Sequence, residues 1–274
     1  MITLPSEHTK WTHIHLEALR HNVRHLKKVA AEAFLMGVVK ANAYGHNIEI
    51  IGPALANEGV EHFGVATLAE ALTLKSLLTN APVSMILVLG AMPPHQYARA
   101  IDEDLHFILH TPSDLALIAQ LARSQQKKAH LHLKIDTGMG RVGFLPEELS
   151  HVLNTCVHYS DKIQIAGVCS HLATADDPDQ RHARQQIKSF AQCRQLCLEH
   201  PLFAQHKPLF HLANSDGLLN YPESHYDMVR PGIALYGYTG VAAAQQHLRP
   251  VLSLHSQIVQ RRKVPAGHPI GYGK

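Results

Sequence analysis

The chain has 274 residues, 46% apolar and 17% charged, with a formal net charge of +3. That length accommodates one large α/β domain, or a barrel-sized domain with an appendage. So small a charge, with Lys and Arg scattered rather than striped, gives no electrostatic basis for nucleic-acid binding. No apolar run reaches membrane-spanning length, and the opening "MITLPSEHTKW" lacks a basic-then-apolar signal, so no membrane association is expected. Cys156, Cys169, Cys193 and Cys197 show neither framework nor zinc-like spacing, which points to a reducing, cytoplasmic setting. The 23 histidines mostly fall singly and no HExxH occurs, so no metal is expected and the histidines read as surface or partly buried side chains.

In chain order, short apolar runs alternate with helix-period segments. The runs are "FLMGVVK" (34–40), "HFGVAT" (62–67), "SMILVLG" (84–90), "LHFILH" (105–110), "AHLHLKID" (129–136), "IQIAGVCS" (163–170), "PLFHLA" (208–213) and "DMVRPGIALYG" (227–237). Between them, stretches such as "LAEALTLKSLLTN" and "QRHARQQIKSFAQCRQLCLEH" repeat apolar residues at i, i+3 and i+4, as amphipathic helices do. This repeated alternation predicts an α/β fold of parallel βαβ units, a (β/α)8 TIM-type barrel, with an open doubly wound sheet as the alternative. After residue 240 the texture changes: "LRPVLSLHSQIVQRRKVPAGHPIGYGK" reads as a strand, a Pro-Ala-Gly turn and a second strand just begun. Two domains are therefore expected: a barrel over 1–240 and, over 241–274, the incomplete beginning of a β domain, as in a chain cut short after Lys274.

In such barrels chemistry sits at the C-terminal ends of the strands. Residues expected there are Lys40 and Tyr44 after the first run, Lys134, Asp136 and Arg141 after the fifth, His171 after the sixth, Asn214 and Ser215 after the seventh, and Arg230, Gly232 and Ile233 at the eighth. A ring so rich in cations and donors suits an anionic, phosphate-bearing ligand. A strand-end lysine is costly to bury unless paired or chemically used, and beside a phosphate site it points to a Schiff base with pyridoxal 5'-phosphate.

The motifs "VVKANAYGHN", "KIDTGMGRVGF", "SHLATADD", "HLANSDG", "DMVRPGIALYG" and "VPAGHPIGYG" resemble, in order and approximate spacing, successive signatures of the alanine racemase family. The resemblance runs over nearly the whole chain. It implies a pyridoxal-phosphate barrel followed by a β domain, a head-to-tail homodimer with shared active sites, and interconversion of L- and D-alanine that supplies cell-wall peptidoglycan. By matched position, Lys40 bonds the cofactor, Tyr44, Ser215, Gly232 and Ile233 hold its phosphate, with Asn214 among the cofactor contacts. Arg141 approaches the phenolic oxygen, His171 faces the ring and Arg230 reaches the ring nitrogen. Lys134 matches a lysine that is carbamylated in some members, and Tyr272 of "IGYG" matches a second catalytic base supplied across the dimer.

Racemisation removes the α-proton from one face and returns one to the other, so two bases on opposite faces, Lys40 and Tyr272, are the economical arrangement. A free tyrosine titrates near 10 and needs cationic neighbours to act as a base near neutrality. Asp136 is expected to pair with Lys134, two residues away on one strand face, and is left out of catalysis; Asp216 is assigned to a solvated face. Asn214 alone reads equally as a cap. Two other functions fit the same residues: a non-catalytic pyridoxal-phosphate-binding barrel, and a related racemase or decarboxylase for another amino acid.

Overall fold

The eight expected runs all form strands, and in the computed structural model, which describes residues 8–272, they lie side by side and parallel. The strands in chain order are β1 (Lys10–Ile14), β2 (Phe34–Val38), β3 (His62–Val65), β4 (Met85–Val88), β5 (His106–Leu109), β6 (Ala129–Lys134), β7 (Ile163–Cys169), β8 (Leu209–His211), β9 (Met228–Val229) and β10 (Leu252–Ser256). The sheet order β8-β7-β6-β5-β4-β3-β2-β9 sets the first barrel strand beside the last. The remaining seam is bridged by Asp227 N–H to Phe210 O and Arg230 N–H to Ala213 O, both at 3.0 Å. The architecture is therefore the nearly closed (β/α)8 barrel, not the open sheet.

Burial on both faces explains why the strands read as near-continuous apolar runs. One face packs on the outer helices, with Phe63, Phe107, Leu131 and Phe210 inaccessible or nearly so. The other fills the lumen, where Met36, Met85, Leu87, Ile108 and Met228 form a separate cluster. The helix Arg181–Glu199 follows its expected stripe and buries Ala183, Ile187, Phe190, Cys193 and Cys197. Truncating a fully buried phenylalanine such as Phe190 costs about 3–5 kcal/mol. The helix Leu68–Leu77 starts at a capping box in which Thr67 and Glu70 satisfy each other's backbone N–H groups.

The C-terminal segment differs from expectation. Its first strand, β10, forms, but its partner is β1, in an antiparallel ladder from Lys10↔Ser256 to Ile14↔Leu252. Trp11 stacks on His255 at 5.3 Å across that ladder. The turn after Val264 is present, closed by His268 N–H to Pro265 O at 3.2 Å, yet no strand follows it among the described residues. The ends of the two expected domains, residues 1–7 and 273–274, lie outside the described residues.

Candidate active site

At the C-terminal mouth of the barrel lies a cavity of about 400 Å³ lined by Lys40, Tyr44, Lys134, Arg141, His171, Asn214, Ser215, Arg230, Gly232 and Ile233. All the residues expected at the mouth except Asp136 thus converge on one opening. Tyr272 is fully exposed and does not line it.

Lys40 is set by an unusual stretch of backbone. Ala41, Asn42, Ala43 and Tyr44 all have positive φ, between 52° and 55°, and make one left-handed helical turn that ends on Gly45 at φ 81°. L-residues resist this conformation by about 1–2 kcal/mol each, so neighbours must impose it. Glu70 does much of this: its carboxylate accepts Ala41 N–H and Ala66 N–H, both at 2.7 Å. Asn42 Oδ1 accepts Ile48 N–H at 2.8 Å and ties the turn to the next helix. The turn brings Lys40 Nζ to 5.9 Å from the centre of the Tyr44 ring. Burial lowers the Lys40 pKa, the nearby Arg141 cation lowers it further, and Glu70 partly opposes both.

A second feature suits phosphate. Ser215 Oγ, at the start of the helix Ser215–Asn220, accepts Gly232 N–H at 2.9 Å and Ala234 N–H at 3.1 Å, which leaves its hydroxyl proton free to donate outward. The Tyr44 hydroxyl occupies the space a Cβ on Gly232 would need, so glycine there permits the close approach. Asn214 caps the same helix, accepting Gly217 N–H at 2.9 Å and donating to Leu172 O at 3.1 Å.

Arg230 is buried without a carboxylate among the described residues. Its Nη1 donates to His211 Nδ1 at 2.8 Å, and its Nη2 donates to Ser170 O at 2.6 Å and Leu212 O at 3.1 Å. His171 Nδ1 stands 3.5 Å from the same Nη2. Burial, followed by the Arg230, Lys134 and Arg141 cations, pushes His171 down to about 2, so its imidazole is neutral. Lys134 is also buried, and its Nζ reaches only Ile135 O at 3.4 Å; burial drives it down to about 8.

Two expectations fail here. Asp136 does not pair with Lys134: its carboxylate accepts the N–H groups of Gly138, Met139, Gly140 and Arg141 at 2.8–3.1 Å and so fixes the turn carrying Arg141. Four converging backbone donors outcompete one buried ammonium. Asp216 is not on a solvated face: it lines the cavity and accepts from Thr239 Oγ1 and from Gly240 N–H. Sequence reading also passed over Glu70 and Gln186, which act through backbone; Gln186 donates to His171 O at 3.0 Å and accepts Ala173 N–H at 2.9 Å. For Glu70 the capping box was a readable signal; for Gln186, a lone amide on a helix, there was none.

The family profile described as "Alanine racemase, N-terminal domain" matches residues 14–240. The alanine racemase of Carboxydothermus hydrogenoformans is 39% identical over 268 residues, covering 96% of this chain and 70% of its own length. That of Desulforamulus reducens is 34% identical over 267 residues, with coverage of 96% and 70%. Among solved structures, alanine racemase from Streptomyces lavendulae superposes with a TM-score of 0.89 at 32% identity, covering 98% of this chain and 70% of that one. Alanine racemase from Bartonella henselae with covalently bound pyridoxal phosphate gives 0.85 at 30% identity, with coverage of 97% and 71%. With a lysine, a buried arginine and a serine–glycine cradle gathered at the mouth of this barrel, and with a family match over most of its length, the chain belongs to the alanine racemase family.

Proposed function

We propose that the chain interconverts L- and D-alanine with pyridoxal 5'-phosphate, the D-isomer serving cell-wall peptidoglycan and the reaction running in the cytoplasm. The observation that carries this reading is one cavity faced by both Lys40 and Arg230, which has no carboxylate partner among the described residues, with the Ser215 hydroxyl in the same lining. The fit to the cofactor is chemical as well as steric: about 400 Å³ is within the usual size of ligand sites. A buried arginine whose hydrogens go to an imidazole and two carbonyls remains a net positive charge for an electron-rich ring atom to meet.

When bound, pyridoxal phosphate supplies the electron sink that stabilises the charge left on Cα after proton loss. Ser215, Gly232, Ile233 and Tyr44 would hold the phosphate, Arg141 the phenolic oxygen, His171 the ring face and Arg230 the ring nitrogen, with Asn214 keeping the phosphate helix in place. Lys40 Nζ, its pKa lowered by burial and by the Arg141 cation, would take or return the α-proton on one face. Tyr272 would serve the opposite face. Its full exposure, away from its own cavity, fits service to a second copy's cavity in a homodimer. Residues 241–274 would then be the beginning of a second, β domain that presents it. Lys134, buried and pushed down to about 8, has the amine fraction that carbamate formation requires, and the carbamate would steady Arg141.

The test is direct: the purified chain with pyridoxal phosphate is given L-alanine, and D-alanine is followed across a panel that includes larger and basic amino acids. Turnover of alanine above the rest is expected. Cofactor binding without turnover of any member, with the second base in place, would replace the reading with that of a binding protein.

A further inference from the structure

Among the histidines expected as surface or partly buried side chains, three cross the barrel lumen. His106 is the first residue of β5 and only partly buried, while His132 on β6 and His211 at the end of β8 are inaccessible. Side chains on a strand alternate, so His132 shares the lumen face of Lys134, two residues on. His106 Nδ1 lies 3.1 Å from His132 Nε2, and His132 Nδ1 lies 2.8 Å from His211 Nε2. His211 Nδ1 lies 2.8 Å from Arg230 Nη1.

The fold makes room for this file. A Cβ on Gly167 would overlap the His132 ring, so that position on the neighbouring strand has to be glycine. The β6–β7 register shifts between Leu131 and His132, at the same place. Arginine has no acceptor, so its bond sets the direction of every other one. His211 accepts at Nδ1 and carries its proton on Nε2; it therefore donates to His132 Nδ1, and His132 Nε2–H in turn donates to His106 Nδ1.

We infer that His132 and His106 are positioning residues for Arg230: a one-way file of neutral imidazoles, each accepting on the arginine side and donating away from it, holds the guanidinium in place as an unneutralised cation. Each imidazole turns its negative end toward Arg230, which a carboxylate would do only by cancelling the charge. Protonation of the file is opposed from all sides. Burial is the largest cause at all three: His106 and Arg230 add to it at His132, Arg230, His132 and Lys134 add to it at His211, and at His106, where His130 and His62 add to it against Asp104, the pKa falls to about 3. The link from Arg230 to a cofactor ring rests on the function proposed above; the file itself does not.

The experiment uses the chain labelled with ¹⁵N-histidine, free and with pyridoxal phosphate, read by two-bond proton–nitrogen correlation. Single substitutions assign the three rings. All three are expected as the Nε2–H form, unchanged from about pH 5.5 to about pH 8.5, around the ordinary histidine pKa. An Nδ1–H form at His132 or His211, or an imidazolium at either, overturns the inference. Next, His132→Phe removes the acceptor offered to His211, whereas His132→Asn keeps one. Pyridoxal-phosphate affinity is expected to fall about tenfold or more in the first and within about threefold in the second. Equal affinities in the two variants, whatever their unfolding temperatures, would reduce His132 to packing. If the wild-type chain binds no pyridoxal phosphate, the proposed function fails, while the ring tautomers still decide the file.

Discussion

Replacing Ala41 by glycine should leave stability unchanged or raise it, although the same change inside an ordinary helix lowers it. Ala41 sits in the left-handed turn at φ 52°, ψ 52°, with its methyl exposed. The left-handed conformation costs an L-residue about 1–2 kcal/mol, which glycine does not incur. Against this, glycine loses about 0.5–1 kcal/mol through the freer unfolded chain, and an exposed methyl contributes little burial. The balance is about 0 to +1.5 kcal/mol. The bond from residue 41 N–H to Glu70 survives, because it is backbone on one side. Ala41→Val is the contrast, since a β-branched side chain at positive φ is strongly disfavoured, and a loss of about 2 kcal/mol is expected. Urea unfolding at constant slope measures both. A loss above about 1 kcal/mol in Ala41→Gly, with wild-type stability in Ala41→Val, would show that strain in the turn is not what the substitution relieves.

Glu70→Ala frees two short backbone bonds at Ala41 and Ala66, and should cost about 2–3 kcal/mol in unfolding free energy while weakening cofactor binding through Lys40; a stable variant with intact binding would contradict the clamp. Borohydride reduction of the cofactor-loaded chain should leave its label on Lys40, and recovery on another lysine, or equal labelling in Lys40→Ala, would remove that residue from its proposed role. At Asp136, burial raises the pKa, but four backbone N–H bonds more than offset it, so the net shift is downward. Its stabilisation is therefore full above the unfolded value near 3.9 and is lost as pH falls through the folded value; Asp136→Asn should remove that part of the acid dependence in pH-resolved melting. Unmodified Lys134, about 8 when folded against about 10.4 when unfolded, destabilises the fold below pH 8, and this penalty fades as pH rises toward 10.4. Lys134→Met should thus be more stable than wild type at neutrality and converge with it near pH 10, and parallel curves would refute the buried-cation reading.

Strand identity was legible because a parallel barrel strand is apolar on both faces, and the eight runs had no competitor of that length and composition. The mouth was legible for the same reason that barrels are reused: polar residues such as Lys40, Arg141 and Arg230 appear where apolar runs stop. What escaped was cooperation between distant residues. Nothing in the sequence joins Glu70 to Ala41, or Asp136 to the turn ahead of Arg141 rather than to Lys134, because these links run from a side chain to backbone. The lumenal histidines were misread for a related cause. In "LHFILH" and "AHLHLKID" a histidine looks like the polar half of an alternating strand, and only closure of the barrel turns that face inward. Small residues at other strand ends, Ala66, Gly90 and Ala91, line the cavity without any polar signal. Gly90 is required there because a Cβ would run into Ala66 O.

The ladder between β1 and β10 joins the start of the described chain to its far end, Ile14 facing Leu252. At a synthesis rate of about 5–20 residues per second, the first strand waits on the order of ten to fifty seconds for its partner to emerge from the ribosome. β2 waits almost as long for one of its two neighbours, since Phe34 pairs with Met228. The nascent chain therefore spends that interval with an incomplete barrel and an unpaired strand at each edge, the state in which strand addition between molecules competes with folding. Chaperone engagement should fall sharply once the chain through residue 256 is free to pair, when both seams can close together.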